Sequence, residues 1–323
     1  MPLIPFEDIQ PLLRCPRCRS PLASRGATLA CGSAECALSA QPFPEIGGRR
    51  ALVDFEQSVL TEAGLRARDG TSPVARAVDN GRGLRALSSP GSRVTTEQAR
   101  RMADWLSART GRPRLLIVGG GTRGKGTPPL YETPRFDVVA FDIYASPEVQ
   151  FVADAHRLPL ADGAFDAVWI QAVLEHVLEP AVVVAEIGRV LAPGGRVYAE
   201  TPFLQHVHEG PWDFTRFTES GHRWLFRDFA LVDSGVVAGP AEVWLWATEM
   251  LTRGLTRSRA AGKASRLAWS WIRVLDRVIP RAFAVDGASC VYFLGEKSDV
   301  PLDPEGAIRH YAGAQRSEGA ERP

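Results

Sequence analysis

Two short apolar runs in the middle of the chain each end in a polar or glycine-rich break. Residues 115–118 lead into a glycine loop at 119–124, and residues 138–141 end at Asp142. Continuous apolar runs of this length, bounded by turn signals, are typical of strands buried in a parallel sheet. The order of strand, glycine turn, helix, strand and acid predicts the nucleoside-binding half of a doubly wound sheet.

The apolar pattern continues on both sides of this unit. The spacing of Met102, Trp105 and Leu106 predicts a helix over 96–109 that packs on the sheet or shields its ligand. Further apolar runs predict five more strands, so the predicted fold class is α/β, with a doubly wound seven-stranded sheet. These five runs begin near residues 151, 165, 196, 230 and 289.

An insert at residues 240–286 separates the sixth and seventh predicted strands. One helix is predicted around 243–251, and a second carries an apolar stripe flanked by arginines. The insert could cover the site, dimerise or lie on a membrane surface, and packing against the domain or a second subunit is the favoured interpretation. The stripe comprises Leu267, Trp271, Val274, Leu275 and Val278.

The glycine loop alone does not identify the ligand. Gly119, Gly121 and Gly124 match the G-x-G-x-x-G spacing of a dinucleotide site, and Asp142 lies near the distance expected of a ribose-binding acid. Asp154 ends the next predicted strand, and a dinucleotide fold does not require this second acid. A nicotinamide oxidoreductase is therefore disfavoured.

The ordered motifs of residues 113–238, with a last strand near 289–297, resemble those of class I S-adenosylmethionine-dependent methyltransferases of the type 11 subgroup. They are the glycine loop, Asp142, Asp154-Ala155, segments 158–168 and 174–176, and the run 186–195. The resemblance implies a Rossmann-like methyltransferase sheet that binds S-adenosylmethionine. The cofactor-binding residues that it implies are Gly119, Gly121, Asp142, Ile143, Asp154, Ala155, Gln171 and Ala172.

The resemblance also implies separate roles for these positions. The two glycines of the loop would pass beneath the methionine and ribose, and Asp142 would bind the ribose hydroxyls. Asp154 would accept a hydrogen bond from the adenine amino group, with the backbone of Ala155 beside the ring. Gln171 and Ala172 would face the reacting methyl group.

Four positions qualify this interpretation. Ile117 stands where many relatives have an acid, and Arg123 stands where many have a glycine. These departures leave open a weak or inactive cofactor site. Glu175 and His176 precede a predicted helix, where an acid can cap and a histidine can pack, so a structural role is favoured over direct catalysis.

Segment 201–218 leaves the fifth predicted strand at the edge of the sheet where ligands bind in open α/β folds. His206 or His208 could act as the catalytic base, with Asp213 and Arg216 orienting the base or the substrate. A similar run recurs in type 11 members that resemble tailoring enzymes for saccharides or secondary metabolites. Alternatively, Asp213 and Arg216 form a salt bridge that fixes the loop.

Four of the five cysteines lie in one N-terminal block. Two closely spaced thiolate pairs favour a tetrahedral structural zinc site over disulfides, with free cysteines or a ribbon without metal as the alternative. Cys290 stands alone in a predicted strand and is assigned to the core. The predicted zinc ligands are Cys15, Cys18, Cys31 and Cys36.

Residues 12–55 also resemble a small zinc-ribbon family that includes the activator subunit of tRNA and protein methyltransferases. The resemblance rests on residues 13–18, 29–31 and 42–47. Ribosomal RNA guanine methyltransferases carry a comparable cysteine module. The ribbon is therefore expected to dock a partner or present a substrate, which keeps RNA among the candidate substrates.

Composition and length limit the possible function classes, location and domain organisation. The chain has 323 residues, 45% of them hydrophobic, and a formal net charge of +1, which does not favour nucleic-acid binding. No apolar stretch reaches the roughly 20 residues of a transmembrane helix, and the N-terminus lacks the pattern of a signal peptide, so a cytoplasmic location is expected. The predicted parts are a ribbon at 1–55, a linker with helices at 56–112 and a break at 88–92, a methyltransferase domain at 113–298 and a flexible tail at 299–323.

The sequence therefore predicts an S-adenosylmethionine-dependent methyltransferase with a structural zinc, acting on a hydroxyl or amine of a small molecule or saccharide precursor. An RNA methyltransferase is the alternative enzyme. A catalytically silent adaptor that docks partners through the ribbon is the alternative from another class. Beyond the acceptor, the expected partners are another protein or a second copy bound through the ribbon or the insert.

Overall fold

A computed structural model describes residues 3–73 and 92–316. Within them, nine strands form one large sheet and two form a separate N-terminal hairpin. The strands are β1 (Leu22–Arg25), β2 (Thr28–Cys31), β3 (Glu45–Ile46), β4 (Arg49–Ala51), β5 (Arg114–Val118), β6 (Asp137–Asp142), β7 (Phe151–Val152), β8 (Phe165–Gln171), β9 (Leu191–Pro202), β10 (Phe229–Ala238) and β11 (Cys290–Lys297).

Helices cover both faces of the large sheet, as in other doubly wound folds. The α-helices are α1 (Phe6–Ile9), α2 (Glu62–Ala67), α3 (Arg93–Ser107), α4 (Pro180–Val190), α5 (Glu219–Leu225), α6 (Pro240–Thr256), α7 (Arg259–Ala268), α8 (Arg281–Asp286) and α9 (Pro304–His310). Short 3-10 helices span Gln10–Leu12, Ala37–Ser39, Phe55–Gln57, Pro128–Leu130, Ala155–Arg157, Leu174–His176, Gly210–Trp212 and Ser270–Arg277.

The strand order of the large sheet is β10-β11-β9-β8-β5-β6-β7-β4-β3. Pairing is parallel from β9 through to β4, and β11 runs antiparallel between β9 and β10. The seven strands β5–β11 are those predicted from the sequence, and the α/β fold class is confirmed. Because β5, β6 and β8 are parallel, their carboxyl ends meet at one edge of the sheet.

One predicted helix is absent from the nucleoside-binding half. Between β5 and β6, the described chain forms only loops and the 3-10 turn Pro128–Leu130. Two adjacent prolines and the glycines at 124 and 126 explain this, since proline removes a backbone donor and glycine is unfavourable inside a helix. The expected order of strand, glycine turn, helix and strand is therefore wrong at its third element.

The N-terminal module, residues 3–55, and the large sheet form one continuous structure. Strand β4 pairs in parallel with β7, and the Leu52 amide donates to the Val152 carbonyl at 2.8 Å. Leu13 and Phe43 are buried in the core that also contains residues of β5, β6 and β8. Strands β3 and β4 lie within residues 1–55, so the boundary predicted at 55 separates strands of one sheet.

Helix α3 packs on the sheet, as the spacing of its apolar residues predicts. Met102 and Leu106 are buried in the core on this face, and the Thr95 hydroxyl donates to Glu200 on β9 at 2.9 Å. The Ser92 side chain accepts from the Thr95 amide and caps the helix. The break predicted at 88–92 otherwise lies outside the described residues.

The insert is held together by charged pairs rather than by its apolar stripe. Glu242 accepts hydrogen bonds from Arg266 and Arg273, and the Arg266 guanidinium lies 3.5 Å from the centroid of the Trp246 ring. Four of the five stripe residues are exposed to solvent in the single chain, so they do not pack on the domain, and packing against a second subunit stays a prediction. The exposed members are Trp271 (59%), Val274 (54%), Leu275 (45%) and Val278 (75%). None of the helices within residues 3–73 and 92–316 is both long and apolar enough to cross a bilayer.

The C-terminal segment is more ordered than its polar composition predicts. Helix α9 lies within the predicted flexible tail, and the Tyr311 hydroxyl donates to Asp286 at 2.7 Å. The Ala314 amide donates to the same carboxylate at 2.9 Å. These side-chain contacts, which have no sequence periodicity, tie residues 304–316 to the end of the insert.

Burial of His222 predicts an acid-dependent loss of stability. Its ring packs among Phe217, Phe226 and Phe293, and burial lowers its pKa to about 3. The unfolded chain takes up this proton near pH 6.5 and the folded chain does not, so stability falls between these values by about 1.4 kcal/mol per pH unit. Urea denaturation at pH 7.5 and pH 5 should show a smaller loss for His222→Phe than for the wild type. Equal losses would contradict this assignment.

Candidate active site

A cavity of about 430 Å³ opens at the carboxyl edge of the sheet. The glycine loop and the ends of β6 and β7 enclose one side, and the loop after β9 encloses the other. Gln171 and Ala172 lie between the two sides, at the end of β8. The residues that line the cavity include Val59, Ile117, Gly119, Asp142, Ile143, Tyr144, Asp154, Ala155, His156, Trp169, Gln171, Ala172, Val173, His176, His208, Glu209, Trp212 and Phe214.

Two glycines allow the loop to lie against the strand ends. Gly119 has a φ of +76°, and a Cβ there would clash with Val173. A Cβ on Gly121 would clash with the Tyr144 ring, and the Gly121 amide donates to Asp142 Oδ2 at 2.8 Å. Both positions therefore require glycine, and the loop amides hold the Asp142 carboxylate in place.

Asp142 and Asp154 both lie at the cavity wall with their side chains fixed. Asp142 Oδ1 accepts from the Ile143 amide at 2.7 Å. Asp154 accepts from the His156 amide at 3.0 Å and from the Ser58 hydroxyl. Burial raises the pKa of Asp154, but the hydrogen bonds from His156 and Ser58 outweigh it and lower the pKa below its ordinary value. An ionised carboxylate keeps lone pairs for further donors.

The two departures from the family pattern have different consequences. Ile117 is buried at the cavity wall, so this position offers no charge to a ligand. Arg123 donates to Glu148 at 2.7 Å and stacks over the Tyr131 ring at 4.7 Å. The contacts with Glu148 and Tyr131 therefore hold the Arg123 side chain in place.

The backbone is strained where β8 ends. Ala172 has a φ of +52°, a value that is uncommon for residues other than glycine and that recurs at functional sites. Its amide donates to the Glu200 carbonyl at 2.9 Å, and the Gln171 amide group donates to the Lys125 carbonyl at 3.3 Å. The sequence could not predict this strain, because alanine rarely adopts a positive φ.

The two histidines predicted as candidate bases lie in different places. His208 lines the cavity. His206 packs against the Trp246 ring of the insert at 4.8 Å, outside the cavity, and burial lowers its pKa. Residues 205–208 belong to no helix or strand, so the two-residue spacing of these histidines does not place them on one face.

Asp213 and Arg216 lie behind the cavity wall and fix the loop. Arg216 binds Asp213 in a bidentate pair, and it donates to the carbonyls of Gln205 at 3.0 Å and His206 at 3.1 Å. Burial raises the pKa of Asp213, but hydrogen bonds from Arg216 and the His208 amide lower it to about 2. This arrangement matches the salt-bridge alternative, and neither residue reaches the cavity.

Glu175, His176 and His208 meet beside the cavity in a way that sequence reasoning did not predict. The Nε2 atoms of His176 and His208 lie 3.6 Å and 4.0 Å from Glu175 Oε1. Burial raises the pKa of Glu175 to about 8 and lowers that of His176. The adjacent Glu175 and His176 were a visible signal, but His208 joins them through the fold alone. We call these three residues the acceptor-side cluster.

The four N-terminal cysteines converge on one point. The Sγ atoms of Cys18 and Cys31 are 3.4 Å apart, and those of Cys15 and Cys36 are 3.8 Å apart. All four sulfurs lie within 4.8 Å of one another, and none forms a disulfide. Zinc–sulfur bonds of about 2.3 Å in a tetrahedron place sulfurs about 3.8 Å apart, so this donor set fits a structural zinc ion.

Comparison with known families agrees with this geometry. A family model described as a methyltransferase domain matches residues 116–199, which run from β5 to β9 and include the glycine loop, both acids and Glu175. Residues 116–199 therefore form a methyltransferase domain. The family resemblance predicted from the motifs is confirmed.

Curated relatives match about a third of the chain. A demethylmenaquinone methyltransferase of Renibacterium salmoninarum is 39% identical over 117 residues, covering 33% of this chain and 47% of that protein. An uncharacterized 37.1 kDa protein of a Streptomyces fradiae transposon is 34% identical over 126 residues, covering 34% of this chain and 36% of that protein. The chain thus spans less than half the length of these relatives.

Solved structures overlap a larger share of the chain at lower identity. A putative sarcosine dimethylglycine methyltransferase from Galdieria sulphuraria is 14% identical, with a TM-score of 0.41, and the match covers 64% of this chain and 86% of that one.

Proposed function

We propose that this protein transfers a methyl group from S-adenosylmethionine to a hydroxyl or amine of a small molecule, with saccharide precursors as the favoured class. One observation carries the proposal. A single cavity is bounded on one side by the glycine loop, Asp142 and Asp154, and on the other by His176 and His208. Such a cavity accommodates a donor and an acceptor end to end.

The glycine-loop side has the groups that the cofactor requires. Close approach to the backbone is allowed at Gly119 and Gly121, where a Cβ would already clash with neighbours. Asp142 would accept from the ribose hydroxyls, and Asp154 from the adenine amino group, with Ile143 and Ala155 beside the base. Ile117 offers no charge, so the methionine end would depend on backbone groups and the polar side chain of Gln171.

The opposite side suits the acceptor. When bound, the cofactor supplies an electrophilic methyl group on a cationic sulfonium. The acceptor oxygen or nitrogen forms the new bond to this carbon as the carbon–sulfur bond breaks, and the sulfur keeps the bonding electrons as a neutral thioether. The acceptor proton passes to the polar wall, where Glu209 and the imidazoles are the available groups. Alignment supplies most of the remaining rate enhancement.

A second depression continues from the acceptor side and carries positive charge. It shares His208, Glu209 and Trp212 with the cavity, and its outer wall contains Arg253, Arg259 and Lys263 of the insert with one acid, Glu249. These cations would attract a phosphate or carboxylate on the acceptor. Phosphorylated sugars and nucleotide sugars are therefore the first acceptors to test, and demethylmenaquinone joins the panel because a curated relative is named for it.

We also propose that Cys15, Cys18, Cys31 and Cys36 bind one structural zinc ion. Their sulfur spacing supports this assignment. Four thiolates leave no open coordination position, so the ion would stabilise the module rather than take part in catalysis.

Cofactor binding is predicted to depend on Asp142. Because a carboxylate that accepts hydrogen bonds contributes about 1.5–3 kcal/mol, Asp142→Ala should weaken S-adenosylhomocysteine binding by about 10- to 100-fold in calorimetric titration. Asp137→Ala is the matched control, since Asp137 begins the same strand and pairs with Arg112 on the surface. NAD serves as the ligand control. A folded wild-type protein that binds neither S-adenosylmethionine nor S-adenosylhomocysteine would exclude the proposed enzyme. That result would favour the catalytically silent adaptor.

Zinc binding is predicted to require the four clustered cysteines and not the fifth. Elemental analysis should find zinc in the wild type and in Cys290→Ser, and it should find that zinc lost in Cys31→Ser. Since metal-binding energy contributes to folding, loss of zinc should also lower the melting temperature of the Cys31 variant. Equal zinc contents in the Cys31 and Cys290 variants would contradict the assignment.

A further inference from the structure

We propose that the acceptor-side cluster, Glu175, His176 and His208, binds a divalent transition-metal ion. This site is separate from the four-cysteine site, because it lies at the carboxyl edge of the large sheet and has nitrogen and oxygen donors. The inference about the ion's role in methyl transfer rests on the proposed function. Binding of the ion does not.

The three donor atoms already face one another. His176 Nε2 lies 3.6 Å from Glu175 Oε1, and His208 Nε2 lies 4.0 Å from the same oxygen. All three donor atoms fall within 4.8 Å of one another. Metal–nitrogen and metal–oxygen bonds of about 2.0–2.2 Å allow neighbouring ligands to stand about 3–3.5 Å apart. The two distances to Glu175 Oε1 exceed this range by at most about 0.5 Å.

Hydrogen bonds at the far side of each ring set the tautomer that a metal needs. His176 Nδ1 lies 2.6 Å from the Trp212 carbonyl, which can only accept, so Nδ1 carries the proton. His208 Nδ1 lies 3.2 Å from the carboxylate of Asp213. In both rings the Nε2 lone pair is therefore free to bind a cation. A carbonyl or carboxylate behind a ligating histidine is the usual support of a metal site.

Glu175 lacks the partners that a buried carboxylate ordinarily has. Its side chain is 1% exposed, and neither oxygen accepts a hydrogen bond from another residue of the described chain. Buried carboxylates are normally paired or coordinate a metal. Arg216 is the nearest strong cation on this loop, and it is engaged by Asp213 instead. A metal ion would supply the charge that Glu175 lacks.

The donor set indicates the class of metal. Two imidazoles and one carboxylate suit manganese, iron, cobalt or zinc, whereas calcium and magnesium favour sites made of oxygen alone. Three protein ligands leave coordination positions open. The cavity that His176 and His208 line is on this open side. An acceptor hydroxyl bound there would have a lowered pKa and would lose its proton to Glu209 or water before attack, because imidazoles that hold the metal through Nε2 could no longer accept it.

Manganese is the probe, because this ion prefers nitrogen and oxygen donors and competes poorly for thiolates. The full-length protein, dialysed against a weak chelator, is titrated with Mn²⁺ while the electron paramagnetic resonance signal of the free ion is followed. One Mn²⁺ should bind per chain. Glu175→Gln, His176→Gln and His208→Gln should each weaken binding at least tenfold. His206→Phe should bind as the wild type does, since His206 packs on Trp246 outside the cluster.

Several outcomes would overturn the inference. One is a wild type that binds no Mn²⁺, and another is binding that persists unchanged in all three cluster variants. Glu175→Gln keeps the side-chain shape without its charge, so circular dichroism should show a folded protein in which loss of binding is informative. Titration with S-adenosylhomocysteine on the same samples separates the two proposals: nucleoside binding without Mn²⁺ binding refutes the metal site alone, and the reverse refutes the methyltransferase alone.

Discussion

The parallel register of three buried strands is the constraint on which the site depends. Val118 at the end of β5 pairs with Phe141 on β6 and with Ile170 on β8. The residues that follow each strand therefore emerge side by side, which brings the glycine loop, Asp142 and Gln171 to one edge. The strands are buried on both faces, so a shift of register would expose apolar side chains, and the edge is fixed by the core beneath it.

The features predicted from sequence are those encoded locally. Asp142 and the loop glycines follow apolar runs directly, so their placement needs only strand order. The acceptor-side cluster was not predictable, because His208 reaches Glu175 through a loop whose course is set by the Arg216–Asp213 pair and by backbone carbonyls. The prediction offered His206 or His208 as the base, and only His208 lines the cavity. Spacing in an irregular loop carries no information about direction.

Short elements were the other source of error. Strands β3 and β4 have two and three residues, too few to show a period, and they join the sheet through backbone bonds that any side chain allows. The prediction of a helix after the glycine loop failed for the opposite reason. The usual order of a doubly wound sheet led to its prediction, although the local glycines and prolines opposed it.

Because β4 pairs with β7, the N-terminal module belongs to the same sheet as the strands that follow it. Without the N-terminal module, β7 would be the outer strand and would present unpaired backbone groups next to Asp142 and Asp154. The module instead places β3 outermost, a strand of two residues that carries the exposed Glu45, and brief, charged edge strands discourage pairing with other chains. A sheet that ended at β7 would present the apolar pair Phe151–Val152 at its edge.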